Sequence, residues 1–322
     1  MRRKTTIVQM GGAWPINIGN AFIELGSIYT IKKALGDCNV VLCSSLPKCF
    51  LSRGALSTPV RILDFSITDK TSNLFDIREA IKADYVVFSD ATLTENWMKL
   101  CFPDKLLKKN KDTKIIINGG GGGSYTEREI EIVRDYFKKM NLCAFISRDV
   151  KAFRAYEGIA EHSFNGIDCG FFVNNYFAPP TLDLPRYITL TFDKKKEPKL
   201  KNEKRTIIRT HHWCWSESGF LKRVIYYKGG FNKKNTLISD LPQDYLVVYA
   251  NTEETHSDRV HACVPTLAFG KPAKLYSDTR RALLFDRVNA GSIKSQLTYP
   301  DTKKIEKEKE RQIRFLSEIL DF

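Results

Sequence analysis

Two residues that could do chemistry stand close together in the C-terminal part of the chain. Arg259 and His261 lie at residues 257–272, SDRVHACVPTLAFGKP, where apolar residues recur at helical spacing. With Ser257 or Asp258 as the N-cap, both fall in the first turn of the predicted helix and off its apolar face. A helix start attracts anions through its free N–H groups and dipole. The segment therefore predicts a phosphate or carboxylate site beside a titratable imidazole, or else two surface residues near a cap.

Two neighbouring features bear on where this helix begins. Pro265 lacks a backbone donor and clashes one turn back, so the helix either bends there or begins near Pro265. Both alternatives leave His261 close to a helix start. The apolar run YLVVYA at residues 245–250 predicts a strand before the segment.

The N-terminal segment has the pattern that opens a Rossmann-like unit. TTIVQM at residues 5–10 predicts a buried strand, GGAWPINIGN at 11–20 a loop, and residues 21–35 a helix. A loop at the carboxyl end of such a strand is where ligands bind in these folds. It lacks G-x-G-x-x-G, so a dinucleotide is not indicated, and its two asparagines, Asn17 and Asn20, could simply hold turns.

Five consecutive glycines, residues 119–123, follow the predicted strand KIIIN at residues 114–118. Glycines lose much conformational freedom on folding, so such a run is costly unless the backbone needs positive φ angles or must approach a ligand closely. No Lys-Ser/Thr pair follows, so this is not a Walker A loop. We predict a loop whose N–H groups face a ligand, with a flexible loop as the alternative.

A second loop of unusual composition follows the predicted strand at residues 206–209. THHWCWS at residues 210–216 places two histidines beside two tryptophans. Trp faces stack on sugar rings, and His211 or His212 could bind hydroxyl groups, which suits a glycan subsite. The alternative is a pair of buried aromatic residues under a loop. The lysine-rich run before that strand, residues 193–205, predicts an exposed loop.

The domain organisation follows from the alternation of strands and helices. Such alternation on both sides of a proline-punctuated stretch at residues 178–185 predicts parallel sheets in two domains. We place the first domain at residues 1–180 and the second at 181–304. Residues 305–322 predict an amphipathic helix that packs back on the first domain.

Composition narrows the kinds of partner and the cellular location. The formal net charge of +14 favours an anionic ligand or surface, although the solvated lysine runs argue against nucleic acid. Eight cysteines without a C-x-x-C pair argue against a zinc site or a disulfide framework. No stretch has the length of a signal peptide core or a membrane span. We therefore expect a soluble cytoplasmic protein, with peripheral association at the inner membrane face as an open alternative.

Four short motifs in a shared order resemble the polysaccharide pyruvyl transferase family. They are Asn-Ile-Gly-Asn near the start, the glycine run, Ser-Arg-Asp at residues 147–149, and Arg-x-His followed by Ala-Phe-Gly-Lys-Pro. The resemblance implies two Rossmann-like domains facing across a cleft, as in glycosyltransferase-B folds. It also implies phosphoenolpyruvate as co-substrate and a sugar or glycan diol as acceptor, including a lipid-linked one. The product would be a pyruvate ketal with phosphate released, and we expect no cofactor and no metal.

The resemblance also assigns roles to residues of this chain. Arg148 and Arg259 would hold the carboxylate and phosphate of the donor, and His261 would be the general acid. Asp149 would cap the next helix or orient Arg148. The remaining candidates for substrate contact are Asn17, Asn20, Gly120, Gly121, Gly122, His211, His212 and Lys271. Where the family has Asp-Pro-Ala-Phe, this chain has Asp168-Cys169-Gly170-Phe171, so we expect only a structural role for Asp168.

Two other functions remain open from the sequence. A sugar-nucleotide glycosyltransferase of the same fold would need a carboxylate for the ribose, which Glu253 or Glu254 could supply. A protein that binds polyanions without catalysis would follow from the positive charge alone.

Overall fold

The first of two parallel sheets is built from the N-terminal half of the chain. The computed structural model describes residues 3–11, 14, 17–44, 77–101, 107, 112–200, 204–212 and 233–320. The strands of this sheet are β1 (Thr6–Gly11), β2 (Asn39–Ser44), β3 (Tyr85–Phe88), β4 (Thr92–Leu93), β5 (Lys114–Gly122), β6 (Leu142–Ser147) and β7 (His162–Asn165). Their order is β2-β1-β3-β5-β6-β7, with β4 paired to β5, and all of these pairings are parallel.

The second sheet is built from the C-terminal half. Its strands are β8 (Tyr187–Thr191), β9 (Thr206–Thr210), β10 (Thr236–Leu237), β11 (Thr255–Ser257) and β12 (Ala273–Leu275). They run in the order β10-β9-β8-β11-β12, again with parallel pairings throughout. The predicted α/β class is therefore confirmed. The domain boundary at residues 180 and 181 stays a prediction.

Helices cover both sheets. They are α1 (Gly19–Leu35), α2 (Ile77–Ala80), α3 (Glu95–Cys101), α4 (Glu127–Phe137), α5 (Val150–Tyr156), α6 (Val173–Tyr176), α7 (Pro242–Asn251), α8 (Val260–Ala268) and α9 (Thr302–Leu320), with 3₁₀ turns at Cys169–Phe172, Arg280–Val288 and Gly291–Lys294. Helix α9 begins before the predicted residue 305. Its buried side chains Leu316, Ile319 and Leu320 share a core cluster with Ile7 and Val87 of the first sheet.

The predicted strand at residues 245–250 is wrong, because this run lies in helix α7. Its buried members Tyr245, Leu246, Val248 and Tyr249 follow helical spacing rather than strict alternation. A continuous apolar run fits a buried strand or a buried helix equally well, and here Pro242 opens the helix in its first turn. The strand that precedes α8 is the three-residue β11, which is too short to stand out in the sequence.

The predicted glycine loop is also wrong, because β5 continues through Gly122. Gly121 and Gly122 pair with Thr92 and Leu93 of β4. Gly119 has a positive φ of 97°, and the register of β5 against β6 shifts between Asn118 and Gly120. A bulge of this kind explains a glycine within a strand.

One prediction lies outside the described residues, namely the stacking of the two tryptophans at positions 213 and 215 on sugar rings. Within the part of the chain that the structure describes, none of the helices is both long enough and apolar enough to cross a membrane. No group of three or more His, Cys, Asp or Glu that could hold a metal ion occurs among those same residues.

Candidate active site

Charged side chains gather after the carboxyl ends of the strands in both sheets. Parallel strands end at a common edge, so residues that follow different strands become neighbours there. The residues concerned are Asp90 after β3, Arg148 after β6, Asp168 after β7, Asp193 after β8, His211 after β9, Arg259 after β11 and Arg281 after β12.

Arg148 is held at the edge of the first sheet and is almost fully buried. Its N–H donates to Gly120 O over 3.0 Å, which continues the pairing of β5 and β6. A side chain at position 121 would place its Cβ only 2.5 Å from the Arg148 Nε. Gly121 is therefore required to make room for the guanidinium. Asp149 caps α5, as predicted, since its Oδ1 accepts the Ala152 N–H over 2.8 Å.

Helix α8 starts later than predicted, with Arg259 itself in the N-cap position. The Ser257 hydroxyl accepts the Arg259 N–H over 2.8 Å, and the Asp258 carboxylate accepts backbone N–H groups at residues 193–195 instead of capping α8. The helix contains Pro265, so the alternative of a start near Pro265 is wrong. Every residue of α8 is buried, His261 included, so His261 does not lie on an open face.

Asp193 connects the loops after β8, β9 and β11. It is 5% exposed, so the predicted exposed loop begins with a buried carboxylate. The Asp193 Oδ1 lies 3.0 Å from the His211 Nδ1, Oδ2 accepts the His212 N–H over 3.0 Å, and Oδ2 also lies 3.4 Å from the Arg259 Nε. Burial raises the pKa of Asp193, but the hydrogen bond from His211 and the charge of Arg259 outweigh it and leave the pKa below its ordinary value. The ionised Asp193 carboxylate thus contacts both histidines and orients Arg259.

His261 faces a carboxylate that comes from the first half of the chain. Its Nε2 lies 3.5 Å from the Asp168 Oδ2, and both side chains are buried. Asp168 is fixed in turn by the Gly170 N–H, which donates to Oδ1 over 2.8 Å. Burial lowers the pKa of His261, Asp168 opposes this, and the charges of Arg281 and Arg148 add to the lowering. Asp168 is therefore the charged partner of His261. The expectation that its role is only structural stays a prediction.

Arg281 brings a third guanidinium to the same place. Its side chain is solvent-accessible, yet surrounding protein lowers its pKa to about 10, and the charges of Arg148 and Arg259 contribute to that shift. Asp90 faces the same cations: desolvation raises its pKa, while Arg148 and Arg281 oppose the rise.

The N-terminal loop contacts the second half beside His261. The Ile18 N–H donates to His212 O over 3.0 Å. A side chain at Gly19 would place its Cβ 2.9 Å from both the His212 Nδ1 and the His261 Cβ. The Asn17 Nδ2 donates to the Asn20 Oδ1 over 3.0 Å, so these two asparagines hold the turn that presents Gly19.

His212 is an interior residue rather than part of an open sugar-binding surface. Its Nε2 lies 2.6 Å from the Tyr249 hydroxyl, and its ring makes edge contacts with Phe22 and Tyr245. Burial lowers its pKa to about 3, so the ring is neutral near pH 7. The structure thus places His212 between the two halves of the molecule. His211 is also buried, at 6% exposure.

Two sets of predicted ligands are not brought to this site as expected. Lys271 follows the C-terminal end of α8 and precedes β12, so it lies at the amino edge of the second sheet, opposite Arg259. The N–H groups of residues 121–123 donate to Ala91 O, the Tyr125 hydroxyl and the Glu129 carboxylate, respectively. These N–H groups therefore stabilise the β5 edge, and the predicted ligand contacts of Gly121 and Gly122 are not supported. The side of Gly120 where a Cβ would project is filled by Ile117 and Phe145.

Comparison with known families identifies the group to which this site belongs. The family model described as polysaccharide pyruvyl transferase matches residues 17–273, which is most of the chain. The chain belongs to the polysaccharide pyruvyl transferase family. It is accordingly a transferase, and membership implies a sugar or glycan acceptor. The predicted resemblance is confirmed. The sequence comparison with curated proteins gives no match.

Solved structures with the same architecture place this family member in the glycosyltransferase-B-like fold. UDP-N-acetylglucosamine 2-epimerase from Rickettsia bellii is 15% identical with a TM-score of 0.55, over 99% of this chain and 98% of that one. The Staphylococcus aureus MnaA–UDP structure is 13% identical with a TM-score of 0.53, over 98% and 91%. At these identities the likeness concerns the fold alone. The prediction of two Rossmann-like domains in this arrangement is confirmed.

Sequence reasoning missed the carboxylates and the third arginine of this pyruvyl transferase family member. Arg281 lies beyond the matched residues 17–273 and inside a 3₁₀ turn, without a motif of its own. Asp193 was obscured by the lysines that follow it. A usable signal was available for Asp90 and Asp193, because each lies within two residues of the end of an apolar run that forms a strand, as Arg148 does.

Proposed function

We propose that this family member transfers the enolpyruvyl group of phosphoenolpyruvate to two hydroxyl groups of a sugar or glycan as a ketal. In this reaction the methylene carbon gains one hydroxyl proton and becomes a methyl group. Both hydroxyl oxygens bond to the central carbon, and phosphate leaves with the second proton. The observation that carries the proposal is that the charges of Arg148 and Arg281 both act on His261, which is buried beside Asp168, while the charge of Arg259 acts on Arg281.

The three guanidinium groups suit a donor with two anionic groups. Guanidinium forks pair with carboxylate and phosphate oxygens in a bidentate manner. Arg148 comes from the first sheet, while Arg259 and Arg281 come from the second. A donor bound among them would contact arginines from both halves of the molecule. Asp193 would hold the Arg259 fork in place, because its Oδ2 lies 3.4 Å from the Arg259 Nε.

His261 is the group that would move a proton. Because Nε2 faces the Asp168 carboxylate at an ion-pair distance of 3.5 Å, we assign the proton of the neutral ring to Nε2. Nδ1 is then the atom that would gain a proton and pass it to the methylene carbon of the donor. A carboxylate that orients the far side of a catalytic imidazole and stabilises its cation is a recurring arrangement in enzymes.

Donor binding would itself help to protonate His261. Burial lowers the pKa of His261, and the charges of Arg281 and Arg148 lower it further, so the ring of the free protein is neutral near pH 7. An anion that offsets those two charges would raise the pKa. The acid would therefore form in the donor complex, where its proton is needed.

The alternatives from the sequence find less support in the same geometry. Glu253 and Glu254 precede β11 and pair with Arg205, so they lie at the amino edge of the sheet, away from the cluster of arginines. This removes the carboxylate that a sugar-nucleotide enzyme was expected to use. Arg148 is 3% exposed, which suits contact with a small anion better than contact with a polymer.

The proposal is tested by donor binding and phosphate release. We expect phosphoenolpyruvate to raise the thermal unfolding temperature by mass action, and UDP-N-acetylglucosamine to leave it unchanged. With a mixture of sugar diols as acceptors, phosphate release should depend on both substrates. Stabilisation by the sugar nucleotide, without any by phosphoenolpyruvate, would overturn the proposal in favour of the glycosyltransferase.

A further inference from the structure

The terminal helix α9 carries a buried polar face that the amphipathic pattern did not predict. Glu308, Lys309 and Gln312 are 1%, 2% and 0% exposed. Lys309 Nζ donates to the side-chain oxygens of Asn174 and Asn175, and Glu308 pairs with Arg287. Burying such groups is costly unless each has specific partners, so this face is built to contact the segment after β7.

Gln312 reaches the turn that carries Asp168. Its Oε1 accepts the Ile167 N–H over 2.8 Å, and its Nε2 donates to the Asn118 Oδ1 over 3.1 Å. A side chain at Gly166 would place its Cβ 2.4 Å from the Gln312 Oε1, so a glycine is needed for this close approach. The residue after Ile167 is Asp168, the partner of His261.

Asn118 links Gln312 to the rigid interior of the first sheet. The Asn118 Nδ2 donates to the hydroxyls of Ser27 and Thr30, each over 2.9 Å, and Ser27 donates to the Gln9 Oε1 over 3.0 Å. All four side chains are fully buried. A saturated buried network of this kind has few alternative arrangements, so it fixes the group at its end.

We propose that Gln312 is a positioning residue that holds the turn at residues 165–168 so that the Asp168 Oδ2 faces the His261 Nε2 and selects the Nε2–H tautomer. The turn is gripped from its other side by Arg287, whose Nη2 donates to Asn165 O over 2.9 Å. The structural effect stands on these contacts alone. Its effect on turnover rests on the function proposed above.

Loss of the Gln312 contacts should act on His261 and on little else. The charged and titratable groups that act on His261, or on which His261 acts, are Asp168, Arg281, Arg148, Asp90 and His212. Of these, only Asp168 is in the turn that Gln312 holds. Without a fixed Asp168, the two neutral tautomers of His261 should become more equal in population.

The test compares Gln312→Leu with Leu316→Ala, a control that removes buried apolar volume from the same helix without touching the turn. With ¹⁵N-labelled histidine, the imidazole shifts report the tautomer of each ring, and the His261→Gln variant identifies the His261 signals among the five histidines. We expect Gln312→Leu to mix the tautomers and to lower kcat about a hundredfold, with little change in the donor KM. Leu316→Ala should keep the wild-type tautomer even if its unfolding temperature falls.

Each outcome decides the proposal. An unchanged His261 tautomer in folded Gln312→Leu, or the same change in Leu316→Ala, would overturn it. If Gln312→Leu does not fold, Gln312→Glu retains an acceptor for the Ile167 N–H and should keep the Nε2–H tautomer, and mixing there would overturn it as well. Because the NMR readout needs no substrate, a wild-type protein without pyruvyl transfer would contradict the proposed function and leave this inference testable.

Discussion

The two histidine–carboxylate pairs of the candidate site differ in what holds them together. His211 and Asp193 both belong to the second half, with 3.0 Å between Nδ1 and Oδ1, and the same carboxylate also accepts the His212 N–H. His261 and Asp168 come from different halves, with 3.5 Å between Nε2 and Oδ2. The first pair is fixed by the folding of one sheet and its loops. The second exists only when the two halves meet.

Under the proposed function, this difference separates the residues that bind the donor from the pair that transfers a proton. The Asp193 carboxylate is engaged by several donors, so its main effect is to fix the loops that carry Arg259 and His211. Asp168 mainly tunes one imidazole, whose pKa is lowered by burial and by two arginines from opposite halves. We infer that Asp193 fixes Arg259 for anion binding and that proton transfer depends on the Asp168–His261 pair.

The largest expected effect separates the two histidines. His261→Gln should lower turnover by roughly a hundredfold to ten-thousandfold, the usual contribution of a general acid, while donor affinity stays near that of the wild type. His211→Gln should mainly raise the donor KM, because it removes the imidazole contact that helps to fix Asp193, and Asp193 orients Arg259. Steady-state kinetics with varied phosphoenolpyruvate measures both. An equal loss of kcat in the two variants would contradict the division between the pairs.

Replacing Asp168 or Asp193 with asparagine should show that the two carboxylates affect the pH dependence of turnover differently. Asp168 opposes the lowering of the His261 pKa, so Asp168→Asn should lower that pKa further. The acid form is lost as pH rises through the pKa, so the alkaline limb of the rate should move to lower pH. Turnover at neutral pH should fall about tenfold for each pH unit by which the midpoint of that limb moves. Asp193→Asn should leave the midpoint unchanged, and an equal movement there would argue against separate roles.

The arginines sharpen the comparison through donor binding. Arg148→Ala and Arg281→Ala should each weaken phosphoenolpyruvate binding by about 1.5–3 kcal/mol, as expected for a hydrogen bond to a charged group. Lysine should restore only part of this, because it cannot make the paired contact. Arg280→Ala is the matched control, since that exposed neighbour donates to Ser124 O instead. If calorimetry showed equal losses of phosphoenolpyruvate affinity for Arg280→Ala and Arg281→Ala, then Arg281 would not contact the donor.

Gly19 tests whether the His261 pair depends on the meeting of the halves. Gly19→Ala would press a Cβ to 2.9 Å from both the His212 Nδ1 and the His261 Cβ. Overpacking of this kind costs about 1–3 kcal/mol of stability, and it should lower kcat more than it raises the donor KM. Thermal unfolding together with kinetics checks the prediction. A fully stable and active alanine variant would mean that the halves tolerate a wider separation.

The smallest effect is expected at Lys271. Lys271→Ala should change donor affinity by less than about 0.5 kcal/mol, as for a surface substitution away from a site. The reason is its place at the amino edge of the second sheet, opposite Arg259. A loss by calorimetry as large as that of Arg281→Ala would place Lys271 at the donor after all.

Much of the fold was predictable because it depends on local patterns. Strands β1 and β9 and helix α1 lie within two residues of their predicted bounds, since apolar runs mark them clearly. The prediction of a strand at residues 245–250 failed because a continuous apolar run hides the period that separates a strand from a helix. The prediction of a loop at residues 119–123 failed because the need for these glycines comes from other segments. The Arg148 guanidinium occupies the space beside Gly121, and the Tyr125 ring occupies the space beside Gly122.

The sequence by itself determined the α/β alternation, the family and the basic candidates Arg148, Arg259 and His261. These follow from residue types and spacings within single segments, which short-range propensities and motifs record. Only the tertiary structure decided the pairing of Asp168 with His261, the presence of Arg281 near them, the position of Lys271 at the amino edge of the second sheet, and the contact of Gln312 with the Asp168 turn. Such contacts join residues that are distant in the chain. They exist because two parallel sheets present their carboxyl edges to each other, and no local pattern encodes that approach.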